Sequence, residues 1–404
     1  MNTVLGVFVG ILALMFLIVA HEFGHFLVAR RNGVRVKEFG IGFPPRAAAW
    51  LHVPPKKPGT KGKNGKWTWR KLKKSEWAKD QKSLVFSLNF LPIGGFCSMD
   101  GESDDDPRPG TFGAASYWRK TKILFAGVTM NWLVAFVILT ILAWTGLPAL
   151  VEHQFTIPSD ARLSAETPVV VTEILADSPA AAAGFQTGDE FIDFLTSDDV
   201  IEYNNSHAGQ TAAYLVRRSG EEKTLTATLN TEDSDYLLGI TMSLGSTITR
   251  YSWSAPLVGA GLTVQLTGET FKGLGHLLVS LVSGAARQVS SDASVRAEGR
   301  DQVSSATAGV SGIVGIVGSF FPYALSAGPT YALLLAAVIS ISLACMNVLP
   351  IPALDGGRWF LITLARLKHK KLAKDREQEI VARAFIFLLI LMALITVVDI
   401  IRLF

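Results

Sequence analysis

Apolar residues gather in four uncharged blocks, at roughly 3–29, 121–146, 330–350 and 384–403. Each approaches or exceeds the roughly 20 residues that cross a bilayer. The first is uncharged from Met1 to Ala20 and the second from Ile123 to Val151. A further apolar stretch, 254–285, contains Glu269, Lys272 and His276. Its Phe271, Leu274, Leu278 and Leu281 recur at helical spacing, which predicts an amphipathic helix lying on a membrane surface rather than a fifth span. The Gly-rich run 308–328 reads as a partly embedded segment packed against other helices.

Alternation changes between the blocks. VKEFGIGF (36–43) and SLVFSLNFLPIGGF (83–96) are β-like and apolar, and flank a polar insert, 54–82, rich in Lys and Trp. An apolar hairpin next to a membrane must bury its backbone polar groups in protein or in a wet cavity. In the middle region, PVVVTEIL (168–175), GDEFIDFL (188–195) and LLGITM (237–242) read as strands. SPAAAAG (178–184) reads as a short helix with Ser178 as cap, Pro179 first and Gly184 as stop. LVRRSGEEKTLTATL (215–229) reads as a hairpin turning at Ser219-Gly220.

The expected layout is therefore as follows. A first transmembrane helix (1–30) leads to a basic loop with the β-hairpin (31–120) and a second helix (121–146). A small α/β domain (165–245) and membrane-associated segments (254–328) come next. A third helix (330–358), a basic loop (359–383) and a fourth helix (384–404) complete the chain.

Charge orients this layout. The 404-residue chain is 49% hydrophobic with a net charge of +4, yet residues 30–122 carry 20 Lys/Arg against 8 Asp/Glu. Residues 151–328 carry 9 Lys/Arg against 20 Asp/Glu, and six further Lys/Arg fall between Arg366 and Arg376. Basic blocks flanking apolar spans point to membrane orientation and not to nucleic acid. Both basic loops become cytoplasmic and the acidic middle region falls outside. The N-terminal run lacks a basic leader and a small-residue cleavage site, so a retained helix is expected. Two cysteines, Cys97 and Cys345, do not suggest a disulfide framework.

HEFGH is the sharpest feature. On a helix, His21 and His25 stand one turn apart with an angular offset of about 40°, so both can reach one ion. Glu22 is placed to act as general base on a water beside that ion. Such residues at the end of an apolar span are costly unless they serve a site. A catalytic zinc takes three protein ligands. Asp355, in NVLPIPALDGGR (347–358), is the candidate third. Pro350 and Pro352 break the helix, and Gly356-Gly357 permit a tight turn. Charge alone brings HEFGH and Asp355 to the same, cytoplasmic end of the membrane. The other histidines are scattered. A scaffold has no need of Glu22, a transporter should show repeated halves, and an alternative membrane metallopeptidase would use a later Glu instead of Asp-Gly-Gly.

HEFGH, the acidic-side α/β region and NVLPIPALDGG together resemble the site-2 protease family of intramembrane zinc metalloproteases, in its bacterial RseP-type branch with one PDZ domain. The resemblance covers residues 1 to about 403. It implies a polytopic α-helical membrane protein with a membrane-embedded β-hairpin and an extracytoplasmic PDZ-like domain, in the bacterial inner membrane. It implies Zn2+ on His21, His25 and Asp355, with Glu22 activating water. Asn347, Pro350 and Pro352 would help hold an unwound substrate strand, and Gly94 and Gly95 belong to the substrate-pairing β-element. Substrates would be single-span membrane proteins of the anti-sigma factor or remnant signal peptide class, cut after a prior extracytoplasmic cleavage. The PDZ-like domain would take a peptide ligand or filter by size. FAGVTMN (125–131) and SGIVGI (311–316) lack the family's usual prolines, though Gly127 and Asn131 are present.

Overall fold

The computed structural model describes residues 2–53, 68–77, 83–101, 106–151, 153–194, 196–231, 234, 236–243, 246–290, 292–308, 311–369 and 373–403. The chain forms two compact units, Met1–Leu139 with Ala260–Phe404, and Thr140–Gly259. Among the described residues, four helices are long and apolar enough to cross a membrane, matching the expected number.

The first unit opens with α1 (Asn2–Arg31). Arg30 and Arg31 in its last turn suit the negative end of the helix dipole. The helix stops where Gly33 takes φ 79°, a left-handed conformation that glycine adopts without strain. The predicted hairpin is longer than its apolar runs. β1 (Val36–Val53) and β3 (Val85–Met99) pair along most of their length, and β2 (Thr68–Lys71) pairs with the end of β1. The strand order is β2-β1-β3. β1 and β3 each fold back on themselves. Glu38–Ile41 therefore lies between Val85–Leu88 and the Gly95–Ser98 margin. Most of the Lys/Trp-rich insert lies outside the described residues.

Gly94 and Gly95 let that margin approach α1. A Cβ on Gly95 would lie 2.9 Å from the Gly40 carbonyl and 3.3 Å from Val19, and one on Gly94 would lie 2.9 Å from Phe43. Phe26 of α1 packs on Phe39 and Phe86 of the sheet, with ring centroids 5.4 and 5.7 Å away. α2 (Tyr117–Thr145) follows. It crosses α1 closely because Gly24 has no side chain to strike the Ala126 carbonyl.

The second unit contains small sheets and two short helices. β4 (Leu147–Pro148) and β5 (Arg162–Thr167) flank β11 (Ser246–Arg250). β6 (Val171–Ile174) pairs with β10 (Ile240–Met242). β7 (Glu190–Phe191), β8 (Thr211–Arg218) and β9 (Glu221–Thr228) form the third sheet. The hairpin turns at Ser219-Gly220 as expected, with φ 53° and 88°. α3 (Pro179–Ala182) begins under its Ser178 cap, whose hydroxyl accepts from the Ala181 N–H. The strand expected over 188–195 shrinks to two residues. The next segment turns into α4 (Ser197–Ser206), where Thr196 and Asp199 form a capping box. Val169, Phe185, Phe191, Val200, Tyr214 and Val216 make the core.

α5 (Ala255–Gln288) is one continuous helix. α6 (Ala293–Ala308), polar throughout, was not legible from periodicity. It crosses α5 where Gly284 meets Gly299. The Gly-rich run is helical: α7 (Ile313–Gly315), a π-helical turn (Ile316–Phe320) and α8 (Phe321–Ala327). It packs on α1, with Phe321 against Gly10 and Pro322 against Gly6. α9 (Pro329–Val348) ends just before Leu349, which is extended, and Pro350. α10 (Asp355–Leu367) then begins at Asp355 itself. The tight turn expected at Gly356-Gly357 is instead the first turn of a helix. These glycines are bare because a Cβ on either would strike main-chain carbonyls, Val348 for one and Ile351 for the other. α11 (Lys374–Leu403) starts ahead of its apolar block, with Asp375 and Glu377 in its first turn. Its buried Asp399 accepts from the Gly312 and Gly315 N–H groups, both at 2.9 Å.

Candidate metal centre

His21 and His25 are buried on α1, and α10 presents Asp355 to them from its first position. The His21 Nε2 lies 3.0 Å from Asp355 Oδ2, and the His25 Nε2 lies 3.2 Å from the same oxygen. The two Nε2 atoms are 3.1 Å apart. A four-coordinate zinc with bonds of about 2.0–2.1 Å spaces its ligand atoms about 3.3 Å apart. Among the described residues this is the one cluster of three or more possible ligands. The expected triad is therefore brought together from both ends of the chain.

The donor chemistry fits a metal. A carbonyl only accepts, so the His25 Nδ1–H donates to Ile123 O at 2.8 Å and the lone pair falls on Nε2. His21 Nε2 points into the same triangle, while its Nδ1 faces the Asn131 side chain at 3.2 Å. Gly127 lies between these two supports on α2. A Cβ there would stand 2.5 Å from Nε2 of both histidines. Ile123, Gly127 and Asn131 are four residues apart on one stripe of α2, which backs both imidazoles. The Ile123 carbonyl leaves no trace in a sequence. The spacing of Gly127 and Asn131 was the available signal for the rest.

Glu22 faces the same cluster, and the main-chain N–H of Cys97 on β3 donates to its carboxylate. The sheet margin and Glu22 are thus adjacent. Asp355 also lines a cavity of about 280 Å³ with Pro352, Leu354, Arg358, Glu377 and Val381. Arg358 and Glu377 are paired there at 3.3 Å.

The substrate-binding candidates divide. Asn347 turns its amide back to the Leu343 carbonyl at 2.9 Å, and Pro350 is exposed in the break between α9 and α10. Pro352 borders the cavity. Gly94 and Gly95 are buried against α1 and Phe43. Their role in the fold is close packing.

Two histidines and a carboxylate converge beside a glutamate, a donor set suited to a metallopeptidase, in a chain whose described residues include helices able to cross a bilayer. The family model for peptidase family M50 matches residues 9–52 and 71–392, and the chain belongs to that family, the site-2 proteases. The interval it skips falls in the basic insert. A Clostridium acetobutylicum protein, named as a candidate zinc metalloprotease, is 27% identical over 400 residues, covering 97% of this chain and 96% of its own. The zinc metalloprotease RasP of Oceanobacillus iheyensis is 25% identical over 451 residues, covering 96% and 97%. A Nostoc protein named in the same way as the clostridial one is 26% identical over 402 residues, covering 95% and 93%. The chain is thus a zinc-dependent metalloprotease associated with the membrane.

Proposed function

We propose that this protein cuts single-span membrane proteins within the bilayer, with His21, His25 and Asp355 holding zinc and Glu22 as general base. The observation that carries the reading is the convergence of Nε2, Nε2 and Oδ2 at 3.0–3.2 Å, with Glu22 at their side. Zinc held there supplies Lewis-acid polarisation of the scissile carbonyl and makes water nucleophilic near neutral pH. Glu22 takes the proton of the attacking water and delivers it to the leaving amine. The Cys97 N–H fixes the carboxylate while it does so. The cavity that Asp355 lines offers water a place against that one carboxylate.

A transmembrane substrate hides its amides in intrahelical bonds and must unwind before it is cut. β3 is the edge strand of its sheet, and its Gly95–Ser98 margin lies next to Glu22. An unwound segment adding to that edge would meet the site directly. Gly94 and Gly95 hold the edge against α1, while Asn347, Pro350 and Pro352 help hold the unwound segment. The favoured substrates are anti-sigma factors or remnant signal peptides already cut outside the membrane. In this reading the enzyme lies in the bacterial inner membrane with its site toward the cytoplasm. The Thr140–Gly259 unit is a PDZ-like domain on the outer side, where it binds a peptide end or excludes bulky substrates.

Glu22→Gln in membranes supplied with single-span substrates tests the mechanism. Zinc should stay while cleavage falls at least 10²- to 10⁴-fold, the usual contribution of general base catalysis. Cleavage at the wild-type rate would remove Glu22 from the reaction.

A further inference from the structure

We infer that Asn131 is a positioning residue for His21, accepting the Nδ1–H of that imidazole through its side-chain oxygen and so directing the Nε2 lone pair to the metal. The inference rests on the zinc reading above. Asn131 is fully buried on α2, and its Oδ1 has no hydrogen-bond partner among the described residues. Burying an amide oxygen unpaired costs on the order of 1–3 kcal/mol. The same amide lies 3.2 Å from His21 Nδ1. A half-turn about the last side-chain bond exchanges the amide's oxygen and nitrogen, which are near-isosteric.

The two ends of the amide make opposite demands. With nitrogen toward His21, the amide donates to Nδ1, forces the proton onto Nε2 and blocks the atom that faces Asp355 and His25. With oxygen toward His21, Nδ1 carries the proton, Nε2 is free to ligate and the unpaired oxygen is satisfied. His25 already shows this second pattern, since its Nδ1–H donates to Ile123 O at 2.8 Å. The backbone of Asn131 is itself fixed, because the Ser340 hydroxyl donates to its carbonyl at 2.8 Å. α2 therefore sets the tautomer of both histidines from a single stripe, once with a carbonyl and once with an amide. Outer partners of this kind typically change metal affinity 10- to 100-fold.

Zinc competition with a chelator on the full-length protein tests this. Asn131→Leu keeps the volume and removes the acceptor, so its zinc affinity should drop about 10- to 100-fold. Asn131→Asp keeps an acceptor at the same place and should hold zinc at least as tightly as the wild type. His21→Ala, the control, should lose zinc further than either. Wild-type affinity in the Leu variant overturns the inference. So does a loss in the Asp variant, which is read independently of whether the Leu variant folds. Full zinc retention in His21→Ala would instead bring down the ligand assignment, and this inference with it.

Discussion

Gly127 and His25 approach so closely that the glycine can carry no side chain: a Cβ would lie 2.5 Å from the imidazole Nε2. The same Cβ would stand 2.5 Å from the His21 Nε2. The space above this glycine is the space that the two imidazole nitrogens occupy. Helix packing through small residues lets backbones approach in membranes, and here that approach sets the geometry of a site.

Gly127→Ala is expected to push the two imidazoles apart while leaving α2 helical. Zinc content of the purified variant should fall on the order of 100-fold in affinity, and cleavage with it. Metal analysis alongside a substrate assay checks this. Wild-type zinc content would mean that the imidazoles can shift without penalty.

Gly357→Ala should disable the enzyme from the other side of the site. The added methyl would overlap the Ile351 carbonyl and come within 2.5 Å of the Pro352 nitrogen, both main-chain atoms that cannot swing away. The first turn of α10 would be displaced, and Asp355 with it. Zinc retention should drop at least 10-fold, with the folded fraction in detergent little changed. An isosteric control is Asp355→Asn, which leaves the turn intact and removes the charge.

The Thr140–Gly259 unit should weaken in acid through one ion pair. The Arg218 guanidinium donates to both oxygens of the fully buried Asp189 at 2.6 and 2.7 Å. Burial acts to raise the Asp189 pKa. The Arg218 bonds, the Gln186 main-chain N–H and the Arg218 charge outweigh it and hold the carboxyl below its ordinary value. A depressed carboxyl stabilises the fold fully above its unfolded pKa of about 3.9 and loses that contribution as pH falls through the folded value. Asp189→Asn should therefore cost about 2–3 kcal/mol near neutral pH. The difference from wild type should begin to narrow below about pH 4 and keep narrowing as pH falls through the folded value. Melting of the full-length chain across pH 3–7 reads both.

The meeting of HEFGH with Asp355 was legible because polar residues at the ends of apolar blocks need a chemical reason, and the charge pattern predicted one membrane face for both. The four apolar helices and the Ser219-Gly220 hairpin were legible from period and turn chemistry. What escaped depends on contacts between distant segments. α6 has no apolar stripe and takes its place from the crossing of Gly284 with Gly299. α4 followed an unread capping box, Thr196 to Asp199. Gly356-Gly357 suggested a turn, whereas the pressure on them comes from carbonyls of the preceding segment. The Ile123 carbonyl is common to all residues, so no letter in the chain could announce its bond to His25.

The His21–Asp355 contact closes a loop of 334 residues. During synthesis, the histidines therefore enter the bilayer long before their acidic partner has been translated. For that interval the growing chain carries Glu22 and two imidazoles without the carboxylate of Asp355. Under the proposed mechanism, hydrolytic power would arrive only after Asp355 has been translated and α10 has docked. Under the same mechanism, a truncated product ending before Asp355 would lack the third ligand and should not hydrolyse. The order of the chain would then delay the onset of proteolysis until the acidic ligand is in place.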